Sequence, residues 1–158
     1  MLTAENLISS FARNIMFTKQ MTEGFTHADS LVQPPASGNC VNWVIGHIVA
    51  YRNRILTILE QPTVINEQIA ARYARDSKPV LSDEPGIGQF AELMAALEMS
   101  QERLAVGLRS LTPQQAAIEP TFGQFTMSKP EWMLFLLRHE AYHTGQLELL
   151  QAVIKQQK

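Results

Sequence analysis

The sequence predicts an all-α protein, a four-helix bundle with a long crossover connection, on three observations. Four long stretches repeat their apolar residues at the three-and-four spacing of an amphipathic helix. No run of alternating apolar and polar residues is long enough to build a sheet. The segment between the second and third long stretches, above all residues 76–88, is long enough to let the chain cross the bundle.

Thr3 is the expected cap of the first helix, with Glu5 in its opening turn. Leu7, Ile8, Phe11, Ile15 and Met16 follow at helical spacing, and the pattern fades near Gly24. Gln33-Pro34-Pro35-Ala36-Ser37-Gly38 then breaks regular structure. Asn39 is the expected cap of a second helix running to about Glu60. Its stripe is Cys40, Trp43, Val44, His47, Tyr51, Ile55 and Ile58, before Gln61-Pro62 stops it. Asn66 to Arg75 reads as a short helix with Ile69, Ala70 and Tyr73 on one side, while Lys78-Pro79 and Asp83-Glu84-Pro85-Gly86 read as loop. A third long helix is expected over Gln89 to Ser110, carrying Phe90, Leu93, Ala96, Leu97, Leu104 and Leu108. Thr112-Pro113-Gln114-Gln115 adds a helical turn. Residues 118–128, with Pro120 and Gly123, form either a short hairpin or a loop packed over a bundle end. The last helix opens at Ser128 and continues to about Gln156. Pro130 sits where its missing N–H costs nothing, and Ser128 with Glu131 matches a capping box.

Composition bounds the function. A chain of 158 residues suits one domain over residues 1–158. With 46% hydrophobic and 18% charged residues it is not a disordered chain. The 13 basic and 15 acidic residues leave a net charge of -2, so no broad basic field exists to hold nucleic acid. The single cysteine forms no internal disulfide, which favours a reducing compartment. The start, Met1-Leu2-Thr3-Ala4-Glu5-Asn6, lacks the basic and apolar regions of a secretory signal. No apolar run approaches the roughly 18 residues of a membrane span. The expectation is a soluble, cytoplasmic protein with neither a membrane nor a nucleic-acid partner. The GIG at 86–88 is not a phosphate loop, because no strand precedes it and no Lys-Ser/Thr follows.

The 4 histidines divide by periodicity. His139 and His143 are one turn apart on the last helix, on a stripe with Trp132, Phe135, Leu136, Gln146, Leu147, Leu150 and Ile154. His47 occupies the apolar stripe of the second helix, between Trp43 and Tyr51. Burying adjacent imidazoles without partners is unfavourable, and a divalent metal supplies the partner. Three neutral nitrogens leave a coordination position open for water, as in catalytic zinc sites, and imidazole suits nickel, copper or iron as well. His27, past the first helix, reads as a surface residue. Cys40 is too far along the axis from His47 for a shared metal shell and reads as a small buried residue at a helix start.

His139-Glu140-Ala141-Tyr142-His143 is formally H-E-x-x-H, the zincin pattern with Glu as base. No third histidine follows, so Glu140 reads as a solvated carboxylate or a support for a ligand. Three side chains are candidates to support a ligand ring or touch substrate: Tyr51, Arg54 and Gln146. Arg54 is in phase with His47 and reads either as a contact to an anionic substrate or as a snorkelling surface arginine. Gln146 reads either as a group orienting a ligand ring or as a partly buried polar residue.

Asn42-Trp43-Val44-Ile45-Gly46-His47-Ile48, together with His139, His143 and the following Gly145-Gln146-Leu147, resembles the DinB-like family over essentially the whole chain. The residue after the second histidine is often Arg in that family and is Thr144 here. The resemblance implies a four-helix bundle of the DinB-like type with unusual crossover connectivity. It also implies a three-histidine site for zinc or nickel completed by water, and a homodimer. Family members include transferases that use low-molecular-weight thiols such as bacillithiol, so the resemblance implies a metal-dependent thiol transferase acting on small electrophiles. A metal-dependent hydrolase and a non-catalytic metal- or ligand-binding stress protein are the alternatives.

Overall fold

The computed structural model describes residues 3–157. Met1 and Leu2, at the head of the segment read above for a secretory signal, lie outside them. Helix α1 (Ala4–Met21) starts where its sequence requires: the Thr3 hydroxyl accepts the Asn6 N–H at 3.2 Å, and Asn6 Oδ1 accepts the Thr3 N–H at 3.1 Å. Reciprocal bonds of this kind satisfy donors that the first turn leaves free. Thr26 and Asp29 repeat the device at α2 (His27–Ser30). The second long helix, α3 (Val41–Ile58), is capped by Cys40 and not by Asn39, with no side-chain bond at the cap. Packing replaces that bond, since the buried Cys40 sulfur lies 3.4 Å from the Val80 carbonyl oxygen.

Asn66 caps α4 (Glu67–Arg72), and α5 (Phe90–Ser110) and α6 (Pro113–Ala116) follow where they are expected. His27, expected at the surface, is half-buried. Its Nδ1 accepts the Phe90 N–H at 3.1 Å, closing the first turn of α5, and Asp83 stands 3.4 Å from its Nε2. Residues 118–128 contain a hairpin of β1 (Thr121–Phe122) and β2 (Phe125–Thr126), paired Thr121 to Thr126 and Phe122 to Phe125. Its two-residue turn begins with Gly123 at φ +62°, the position where a hairpin favours glycine. Helix α7 (Lys129–Gln156) closes the fold, its Glu131 carboxylate accepting the Ser128 N–H at 2.9 Å.

The four long helices form a bundle in which α1 and α3 each pack against α5 and α7. Contacts along each pair set the directions. Asn42 donates to the Gly88 carbonyl at one end of α3, Arg52 meets Gln101 midway, and Gly107 lies against Leu59 at the other end. Helices α3 and α5 therefore run parallel, and the expected crossover is the segment 59–89 that returns along the bundle. Helices α1 and α7 are also parallel: Gln151 donates to the Met21 carbonyl at one end, and Phe11 and Glu140 share Arg52 midway. Among the described residues no helix is long and apolar enough to cross a membrane.

The core is split. One apolar cluster gathers Trp43, Ile45, Ile48, Leu93, Leu97 and Leu150, with Tyr73 and Val80 from the crossover. The other gathers Phe11, Leu56, Leu104, Trp132, Met133 and Leu136. Between them lies a polar layer drawn from all four long helices. Arg52 is 0% exposed; it donates to Glu140 at 2.5 and 2.8 Å, to Gln101 at 2.9 Å and to the Phe11 carbonyl at 3.2 Å. Gln101 in turn donates to the Ile8 carbonyl at 2.9 Å. Glu140 is thus not solvated. It is the buried counterion of Arg52, because a buried guanidinium requires a paired acceptor.

Candidate metal centre

On α3, Trp43, His47 and Tyr51 follow one another at one-turn spacing, so their rings form a column. Trp43 stacks on His47 at 4.6 Å between ring centres, and His47 meets Tyr51 at 4.6 Å. Across the cleft α7 runs antiparallel and presents His139 and His143. The imidazole centres of His47 lie 5.1 Å from His139 and 4.6 Å from His143, and the two α7 rings are 4.6 Å apart. Tyr51 stacks on His139 at 4.1 Å.

The α7 histidines are not on the core stripe itself. Past its first turn, the buried face of α7 is Trp132, Met133, Leu136, Glu140, Thr144, Leu147, Leu150 and Ile154, with His139 and His143 half-buried beside it. Glu140 takes the core position because Arg52 demands it. The displacement turns both histidines towards a cavity of about 550 Å³. Its walls include Trp43, Tyr51 and Arg54 from α3, Phe135 and Tyr142 from α7, and Phe125 from the hairpin. Ser77, held by the Trp43 indole N–H at 3.0 Å, closes one side.

Hydrogen bonds fix the rings. His47 Nδ1 lies 2.6 Å from the Tyr73 carbonyl oxygen, which only accepts, so the ring proton sits on Nδ1 and the Nε2 lone pair faces inward. His143 Nδ1 lies 2.9 Å from Gln146 Oε1 and is oriented in the same way. His47 Nε2 and His139 Nε2 face each other at 3.2 Å, and one nitrogen of each histidine lies within 4.8 Å of the others. Nitrogens placed tetrahedrally about one ion at 2.0–2.1 Å would be roughly 3.3 Å apart. His139 Nδ1 is buried without a partner. The donor set thus fits a divalent cation: three convergent nitrogens, two of them oriented from behind by oxygen acceptors.

The electrostatics keep these nitrogens neutral. Burial pulls His47 down to about 4 against the opposing pull of the Tyr73 carbonyl, with smaller contributions from His143 and Arg54. Burial pulls His139 down to about 3, reinforced by His143, His47, Arg54 and Arg138. His143 is lowered as well, again chiefly by burial. Neutral imidazoles are the form that ligates a metal.

The remaining sequence candidates all lie at or beside this centre. Gln146 holds His143, Tyr51 covers His139, and Arg54 rests over the Tyr51 ring at 4.6 Å. Thr144 points away from it, its hydroxyl donating to the Glu140 carbonyl at 3.0 Å. Sequence reasoning missed Tyr73. Its carbonyl orients His47, and its hydroxyl donates to Asn42 and accepts from the Gly88 N–H, both at 2.8 Å. The available signal was Gly46, a glycine inside a helix beside a histidine; a Cβ there would overlap the Tyr73 ring.

A crystal structure of a conserved protein from Enterococcus faecalis is similar over 98% of each chain, with a TM-score of 0.73 and 12% identity, a likeness of fold. No curated protein matches the chain. The family model described as the DinB superfamily matches residues 11–147, a span that runs from inside α1 past the histidines of α7 to Leu147. On that match, the chain belongs to the DinB superfamily.

Proposed function

We propose that the protein is a metal-dependent enzyme whose His47, His139 and His143 hold one divalent cation, zinc or nickel. One observation carries this reading: His47 and His143 each engage an oxygen acceptor through Nδ1, which leaves Nε2 as the nitrogen able to ligate within the three-histidine cluster. When bound, such a cation with an open coordination position lowers the pKa of a thiol or a water and holds the resulting nucleophile.

The chain's own residues supply the rest. The Tyr73 carbonyl and Gln146 hold two of the rings, while Trp43 and Tyr51 pack against the histidines and limit water. The cavity is large enough for a small molecule and has aromatic walls. The preferred reaction is transfer of a low-molecular-weight thiol, of the bacillithiol kind, to a small electrophile. The sulfur forms the new bond, the displaced group leaves with its electron pair, and the thiol proton passes to solvent. The same reading carries a cytoplasmic homodimer of one domain over residues 1–158.

Metal analysis of the purified protein is the direct test. About one equivalent of divalent metal per chain is expected in the wild type, and His139→Ala is expected to retain almost none while keeping its helical signal. A wild-type protein that neither retains nor is stabilised by added zinc or nickel would sink the reading. Binding of metal without turnover of any thiol and electrophile pair would favour a non-catalytic metal-binding protein instead.

A further inference from the structure

Arg54 stands two turns beyond His47 on α3 and lines the same cavity. Its guanidinium rests over the Tyr51 ring at 4.6 Å and lies 5.5 Å from the centre of the Phe122 ring. Tyr51 in turn stacks on His139, so a single aromatic ring separates the cation from the histidine cluster. Among the described residues, Arg52, Arg72 and Arg109 each meet a glutamate, and Arg103 donates to the carbonyls of Pro62 and Thr63. Arg54 has neither kind of partner. Five N–H donors are held in place by aromatic faces and offered to the cavity with no protein acceptor. The carboxylate among the lining residues is that of Asp76, whose side chain is 90% exposed and faces Arg75 at 3.7 Å.

We propose that Arg54 anchors a carboxylate of the substrate, so that the site takes small acids with an apolar, ring-sized body whose reacting end lies at the three histidines. The position of the reacting end rests on the metal reading above; the anchoring by Arg54 does not. A planar guanidinium already stacked on a ring loses little freedom on engaging a carboxylate with two parallel bonds, which lysine cannot reproduce. The apolar body would lie against Trp43, Phe125, Phe135 and Tyr142.

Phenylacetate and phenylacetamide share an outline and differ by one charge, which makes them a matched pair of probes. Calorimetric titration of each is made on the protein with its metal and after chelation, with metal content recorded throughout. The wild type is expected to favour phenylacetate by about tenfold in both forms. Arg54→Gln is expected to lose that preference with its metal content unchanged, and Arg54→Lys to keep part of it. Equal binding of the two probes by the wild type, no saturable binding of phenylacetate, or an undiminished preference in Arg54→Gln each overturns the proposal. So does a preference that vanishes on chelation, which would place the carboxylate on the metal. An Arg54-dependent preference in a protein that holds no metal would support the anchor and defeat the metal reading.

Discussion

At His47 the decisive neighbour is a backbone oxygen. A carbonyl cannot donate, so the Tyr73 carbonyl sets which ring nitrogen keeps its proton and which one faces the cluster. Gln146 acts in the same way on His143. Replacing Gln146 with Leu keeps the volume and removes the acceptor, and metal affinity should fall by about 10–100-fold in competition with a chelating dye. The same histidines make folding sensitive to acid. Unfolded, each takes its proton near 6.5; folded, His47 waits until about 4 and His139 until about 3. Unfolding therefore takes up protons below about 6.5, and metal-free stability should fall as the pH drops from there through those folded values. His139→Asn should flatten that decline, read from urea midpoints at successive pH values. The histidine cluster was legible in the sequence because a one-turn histidine pair on an apolar stripe is joined by a third histidine on the apolar stripe of another helix, and buried imidazoles need partners. Tyr73 was legible only through Gly46, since an orienting carbonyl leaves no mark on its own residue type.

The elements show a similar division. Thr3, Asn66, Thr112 and Ser128 mark helix starts by side-chain chemistry, and the chain obeys each of them. Asn39 offers the same chemistry and is passed over, because burial of Cys40 against Val80 outweighs a cap bond. The crossover is pinned to α3 through Tyr73, and two substitutions separate its two duties. Tyr73→Phe removes the hydroxyl from Asn42 and Gly88 but leaves the carbonyl on His47. It should cost about 1–3 kcal/mol in urea denaturation while metal retention is little changed. Gly46→Ala drives a methyl group into the Tyr73 ring and so moves the carbonyl as well. It should cost at least about 1–3 kcal/mol and also weaken metal binding.

At the scale of the whole molecule, the most buried ion pair among the described residues is Arg52–Glu140, which joins α3 to α7 beside the histidines. Arg and Glu on amphipathic helices are ordinarily surface residues, so nothing in their spacing revealed that they meet in the core. Arg52→Met or Glu140→Met alone strands a buried charge and should destabilise by about 3–5 kcal/mol. The double variant should recover most of that loss, measured by chemical denaturation. The pairing of helices was equally illegible: periodicity shows which face is apolar, not which neighbour covers it. The arrangement also dictates a timetable during synthesis. Helices α1 and α3 pack mainly against α5 and α7 and touch each other directly where Arg52 meets Phe11, so the first half of the chain leaves the ribosome with much of both apolar faces uncovered. The crossover can cover part of α3 through Tyr73, but most burial waits until α5 emerges. The two sides of the histidine cluster, 92 residues apart from His47 to His139, meet only once α7 follows, so a metal bound there cannot assist the packing that precedes α7.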